Sequence, residues 1–145
     1  MAVSPISLTD GEIEIDVAGT PTSIREGVIA AQLNITGSVG EFFTLDSLWA
    51  KTTDGGIRAD GQIECLVEAS ATSTHGRLRT WQTTRGSKEM TFSVPDKETG
   101  SLEIVGEFRM ESMSPLFQMT AGDGNPQKST ARIRSNGELA IAVIA

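Results

Sequence analysis

Hydrophobic and polar residues alternate with a period of two along most of this chain. That period places successive side chains on opposite faces of a β-strand, so it predicts strands half buried against a core. Ile13, Ile15 and Val17 alternate with Glu12, Glu14 and Asp16, and Gly19-Thr20-Pro21 ends the run. The polar face of this first strand is a row of carboxylates, which suits water or a water-filled space. Leu33 and Ile35 share a face of the next strand, and Gly37 to Gly40 mark a turn. The stretch that follows holds Phe42, Phe43, Leu45, Leu48 and Trp49, then the turn signal Asp54-Gly55-Gly56. Residues 37–61 thus read as a long loop or an extended hairpin. Large apolar residues in such a segment either tuck under the domain, the commoner case, or dock on a neighbour.

The clearest strand sets Ile63, Cys65, Val67 and Ala69 against Glu64, Leu66 and Glu68. Cys65 falls on its apolar face and reads as a small buried hydrophobe. The period then changes. Ser73 or Thr74 can cap a helix over about 74–85, Leu78 and Trp81 share one of its faces, and Gly86 can end it. So short a helix needs a sheet to pack against. Strands resume with Met90, Phe92 and Val94, a turn at Pro95-Asp96-Lys97-Glu98-Thr99-Gly100, and Leu102 and Ile104. Phe108 and Met110 follow Gly106, a bulge candidate. Beyond Ser114-Pro115 and a polar loop, two last strands flank Asn136-Gly137, a type I′ hairpin signal. The fold class is mainly β: a sandwich or barrel of about eight antiparallel strands with one short flanking α-helix, in a single domain over residues 1–145.

Composition narrows the function classes. A chain of 145 residues buries about 70% of its unfolded surface and needs no disulfide or metal staple. No apolar run approaches the roughly 20 residues of a membrane-crossing helix. The opening Met1-Ala2-Val3-Ser4-Pro5 does not resemble a secretory signal, and the single Cys65 gives no intrachain disulfide, so a cytoplasm is the expected place of synthesis. The net charge is −7, but residues 1–70 carry 11 acids and 3 bases whereas residues 71–145 carry 8 acids and 9 bases. Tight nucleic-acid binding wants a basic surface, which this chain lacks as a whole. Unlike halves suit head-to-tail self-association, although such asymmetry more often only keeps a domain soluble.

Catalytic patterns are missing from the sequence. His75 is the single histidine and has no cysteine or acid at metal-ligand spacing, so it reads as a surface residue. A Cys65–His75 pair would need an exposed thiol, not one in mid-strand. There is no G-x-S-x-G elbow, Walker sequence or dinucleotide fingerprint. The Gly-Asp-Gly-Asn-Pro run at 122–126 lacks the spaced acids of a calcium loop. Arg77, Arg79, Arg85 and Lys88 form the one positive cluster, fit for phosphates or for the acidic half of another copy.

The last third resembles the closing segment of siphophage major tail tube proteins. The matching residues are Gly106, Met110, Ser112 and Ser114, the loop Gly122-Asp123-Gly124, Ser129 to Ile133, and Ser135-Asn136-Gly137-Glu138-Leu139. Upstream, a strand, a short helix and a strand fit Gln62–Ala71, His75–Arg85 and Glu89–Val94, and residues 43–62 look like that family's long loop. The likeness covers most of the chain in order of elements and is specific in about the last 40 residues.

The resemblance implies a structural virion protein, not an enzyme, without cofactor or metal. Six copies would form a ring, inner strands would join a continuous barrel, and rings would stack into a tube. Partners would be other copies of the chain, a tape-measure protein, and terminator and tip proteins, with DNA passing unbound and no membrane involved. The protein would be made in the host cytoplasm and end in the virion tail. The long loop would staple successive rings, with Phe42, Phe43, Leu48, Trp49, Arg77 and Arg79 the candidate inter-ring or subunit interface, and Glu12, Glu14, Asp16, Glu64 and Glu68 the candidate lumen lining. A phage head decoration or head–tail connector protein stands as an alternative. A monomeric β-barrel carrier would instead show a sealed apolar cavity, and a small enzyme would use His75.

Overall fold

Ile13 and Ile15 bury their side chains while Glu12 and Asp16 stay half exposed, as the alternation predicts. A computed structural model of the chain describes residues 11–94, 99–118, 121–122 and 124–145. The opening residues, most of the turn expected at 95–100, and Met119, Thr120 and Asp123 lie outside the described residues.

In chain order the elements are β1 (Glu12–Val17), β2 (Thr20–Ser23), β3 (Val28–Thr44), β4 (Ser47–Leu66), α1 (Thr74–Thr84), β5 (Ser87–Val94), β6 (Leu102–Met113), β7 (Lys128–Ser135) and β8 (Ala140–Val143). All pairings are antiparallel, in the spatial order β2-β1-β5-β6-β7-β4-β3, with β8 beside β6. The mainly β class, with eight antiparallel strands and one short helix among the described residues, is as the sequence predicts, and the strands form one open sheet. Its path ends at β2, four residues long and carrying Pro21, and at β3, whose outer edge pairs with no described strand. The sheet is curled, because Ile13 of β1, Val28 and Leu33 of β3, Phe92 of β5 and Ile104 of β6 line one open cavity of about 430 Å³.

The core gathers on the inner face. Ile63 and Cys65 of β4, Met90 and Phe92 of β5, Phe108 and Met110 of β6, and Ala131 and Ile133 of β7 pack with Leu78 and Trp81 of α1. Phe92 and Phe108 meet edge to face with centroids 5.9 Å apart, a geometry that suits the ring quadrupoles.

The helix forms where capping and apolar spacing predict it. Ser73 is its N-cap, with Oγ accepting from Gly76 N at 3.0 Å. Arg85 takes φ 63° at the C-cap and sends its N–H to Trp81 O, so the chain turns out of the helix one residue before Gly86.

Three local expectations fail for tertiary reasons. Of the two readings of residues 37–61 the extended hairpin is the one that forms, but the turns expected at Gly37 to Gly40 and at Asp54-Gly55-Gly56 do not: β3 and β4 run through both glycine signals and turn at Leu45-Asp46. Gly55 and Gly56 sit at a register shift, where a Cβ on Gly55 would lie 2.0 Å from Ser38 Oγ. Gly106 pairs in register with Met90, and the irregularity in β6 comes later, between Met110 and Ser112. Asn136-Gly137 does not join a two-stranded hairpin, because β8 leaves β7 and pairs with β6. Leu139 packs against the core, close over Gly106, and so draws the chain across β6.

Candidate assembly surface

The last β4–β7 pair at this end of the sheet is Asp60 with Arg134. Beyond it, from Gly37 opposite Ile57 to Thr44 opposite Ser47, β3 and β4 have only each other. Eight residues of strand at about 3.3 Å each make a two-stranded ribbon about 25 Å long. Such a ribbon is marginal in water unless something packs on it. This one carries Val39, Phe42, Phe43, Leu48, Trp49 and Ile57 exposed, with Leu45 at its tip. Leu48 and Trp49 are 98% and 84% exposed, so they are not tucked under the domain. Seven large apolar side chains exposed on the two faces and tip of one projecting element are an excess of the kind that marks an interaction site. The sequence pointed to Phe42, Phe43, Leu48 and Trp49; it missed Val39 and Ile57, whose exposure depends on where β7 stops.

The outer edge of β3 adds a second feature. Its unpaired N–H and C=O groups offer a template for another strand. The described edge has neither a proline nor a covering element of the kind that blunts such edges.

The expected arginines do intramolecular work. Arg79 Nη2 donates to the carbonyls of Glu68 and Ala69 at 3.0 and 3.3 Å, and Arg77 Nε donates to Thr72 O at 3.2 Å. Both tie the 67–73 connection onto α1. Beside them lies an open cleft of about 370 Å³ lined by Ala69, Ala71, Arg79, Thr83 and Leu116.

The candidate carboxylates do not come together. Glu12, Glu14 and Asp16 share the outer sheet face with three acids that the sequence reading passed over, Glu89, Glu103 and Glu107. Ser93 stands opposite both Glu12 and Glu103, and Glu89 faces Glu107 directly. Their signal was the same alternation that revealed β1. Glu14 is buried, contrary to the solvated row expected, because β1 is flanked by β2 and β5. Glu64 lies four strands away on β4, 3.9 Å from Lys128. On the same face Glu111 meets Arg134 at 3.0 Å and Asp60 meets Arg58 at 3.8 Å. Glu68 lies past the end of β4, against Gly27.

His75 is not a surface residue. It is 2% exposed, with Nε2 2.9 Å from Leu116 O and Nδ1 3.2 Å from Glu68 O. The Cys65 thiol is fully buried, and burial, then the charges of Glu68 and Glu64, push its pKa up to about 11. A buried, protonated thiol is a poor nucleophile. Among the described residues no three potential metal ligands cluster.

No protein-family model matches the sequence, and no curated protein matches it. Solved structures do. A chain from the tail of an empty gene transfer agent particle, with C6 symmetry, superposes with TM-score 0.71 at 17% identity over 91% of this chain and 95% of that one. A chain of the sheath/tube terminator of an extracellular contractile injection system superposes with TM-score 0.75 at 12% identity over 99% and 100%. The SPP1 tail tube gives 0.73 at 9% identity over 97% and 81%. This is the tail tube fold. Its neighbours are structural components of tails and tubes, not enzymes. In this chain the tail tube fold places the projecting ribbon and the α1 cleft at opposite ends of β4, since the tip precedes Ser47 and the cleft follows Leu66.

Proposed function

We propose that this chain is the subunit of a tail tube, assembling with copies of itself into six-membered rings that stack into a DNA-conducting tube of a virion tail. The observation that carries the reading is the apolar ribbon, which cannot bury its side chains on its own domain and so needs a neighbour. The free β3 edge supports it, because pairing with the next subunit would satisfy that edge and extend the sheet around a ring. The C6 symmetry of the similar gene transfer agent tail supports six copies per ring.

Ring closure through β3 would turn the polar face of β3, β4 and β7 to the lumen. Of the carboxylates considered for that position, Glu64 fits, whereas Glu12, Glu14 and Asp16 stand nearer the β2 end. Glu64 near Lys128, Asp60 near Arg58 and Glu111 near Arg134 offset three of the cations on such a wall and leave Arg132, so few free positive charges face the phosphates and DNA would pass without tight binding. A tape-measure protein inside the tube, terminator and tip proteins at its ends, and synthesis in a host cytoplasm belong to the same reading.

The test is negative-stain electron microscopy and sedimentation of the purified protein over rising concentration. Rings or tubes with an open centre are expected. A monomer at every concentration overturns the proposal. The open cavity between β1, β3 and β5 does not favour a carrier, which would need a sealed one.

A further inference from the structure

The connection from β7 to β8 passes through Asn136 and Gly137. Where glycine follows asparagine, the next backbone nitrogen reaches the side-chain amide most easily, because glycine has no Cβ to block the approach. The fold leaves this pair free to react. Both residues are exposed and lie outside every strand, and a Cβ built on Gly137 meets nothing within 4 Å. Glu107 O holds the Asn136 backbone N–H at 2.8 Å, but among the described residues neither the Asn136 carboxamide nor the Gly137 N–H has a hydrogen-bond partner. The other two asparagines are blocked. Asn125 precedes Pro126, which has no N–H, and Asn34 precedes the branched Ile35 inside β3.

We propose that Asn136 is a site of spontaneous deamidation in the folded protein. The Gly137 nitrogen attacks Cγ of Asn136 and gives up its proton. The bond from Cγ to Nδ2 breaks, ammonia leaves, and a succinimide ring closes. Solvent water then opens the ring at either carbonyl, giving aspartate or isoaspartate. Both products put a new carboxylate beside Glu107 and Glu138. Isoaspartate also routes the main chain through the former side chain and lengthens it by one atom. Just beyond, Leu139 packs against the core, so close over Gly106 that a Cβ there would lie 2.2 Å from Leu139 Cδ2, and β8 begins at Ala140, paired with Val105. So close a fit has no slack for an extra atom. Isoaspartate therefore loosens Leu139 or shifts β8 on β6, whereas aspartate keeps the main chain unchanged. Deamidation needs only the single subunit and stands apart from the tail tube reading.

Peptide mapping tests it. The native wild-type protein and the free peptide Ser135–Ala145, the fragment that trypsin releases after Arg134, are kept in the same mildly alkaline buffer. Mass spectrometry follows the change in mass of that fragment as carboxamide becomes carboxylate. Because an exposed connection opens at little cost, Asn136 in the native protein should convert within about tenfold of the rate in the free peptide, and at least about tenfold faster than Asn34 or Asn125. Gly137→Ala should slow conversion at position 136 at least about tenfold, and Asn136→Gln should do the same with Gly137 untouched. The isoaspartate form, separated by chromatography, should unfold at a lower urea midpoint than Asn136→Asp, which carries the charge without the extra atom. An Asn136 that stays intact in the native protein while the free peptide converts fully overturns the proposal. Equal midpoints for the isoaspartate form and Asn136→Asp overturn its effect on Leu139 and β8.

Discussion

The Nε2 atom of His75 lies 2.9 Å from the carbonyl oxygen of Leu116, 41 residues further along the chain. The first turn of α1 and the segment after β6 are tied together at this buried point. Both ring nitrogens of His75 face carbonyl oxygens, of Leu116 and of Glu68, so the ring bridges two segments from its two ends. Alanine at position 75 would remove both contacts and open a small cavity. We expect His75→Ala to cost about 1–3 kcal/mol, seen as a lower urea midpoint with an unchanged slope. Arg85→Ala, at an exposed site, should stay within about 0.5 kcal/mol. Equal midpoints for the two variants would show that the tie contributes nothing.

Gly76 offers a test in which local propensity and tertiary packing predict opposite signs. Within a helix, glycine to alanine normally stabilises by up to about 1 kcal/mol. Here a Cβ would lie 2.1 Å from Ser70 O and 2.8 Å from Ala71 Cα, both backbone atoms that cannot swing aside. Gly76→Ala should therefore destabilise by about 1–3 kcal/mol, measured by thermal or urea unfolding. A rise in stability would mean that α1 can move off the 70–71 segment.

The Cys65 thiol sets a pH dependence with a definite sign. Its folded pKa is raised from 9.0 to about 11, so above pH 9 the unfolded chain releases the proton while the folded chain keeps it. The stabilisation that this group gives is complete below pH 9 and is lost as pH rises through the window from 9 to about 11. Within it, stability should fall by about 1.4 kcal/mol per pH unit on this account. Cys65→Ala should remove that slope whatever it does to stability at neutral pH. A slope of the same size in the variant assigns the effect to other groups. In the native protein at pH 8 the thiol should resist a thiol reagent, and it should react once urea unfolds the chain.

Trp49 and Trp81 report on different events. Trp81 is fully buried, with Nε1 donating to Gly86 O at 2.9 Å, whereas Trp49 stands in solvent on the ribbon. In a Trp81→Phe background the emission should shift to shorter wavelength when the protein assembles, because Trp49 leaves water. Trp49→Ser should leave the unfolding midpoint within about 0.5 kcal/mol of wild type and raise the concentration needed for assembly at least tenfold. Assembly without a spectral shift would place Trp49 outside every subunit contact.

Much of this architecture is legible in the residues themselves. The alternation of Ile13 and Ile15 with Glu12 and Glu14 marks β1, and Ser73, Leu78, Trp81 and Gly86 mark α1 nearly to the residue. These signals are local: the side chains of neighbouring residues point to fixed sides of a strand or helix, so a few positions reveal which face is buried. Partnership is another matter. The alternation of Ile141 and Val143 is the same whether β8 pairs with β7, as Asn136-Gly137 suggested, or with β6, as it does. His75 reads as polar and exposed until the carbonyls of Glu68 and Leu116 close on it from two other parts of the chain. The exposure of the ribbon depends on β7 ending at Ser135, opposite the body of β4 and not its tip. Local periodicity is enough to assign most strands, the helix and their apolar faces. Which strands meet, which polar groups are buried, and which apolar side chains are left without cover follow from the folded chain alone, because each is set by contacts between residues far apart in sequence.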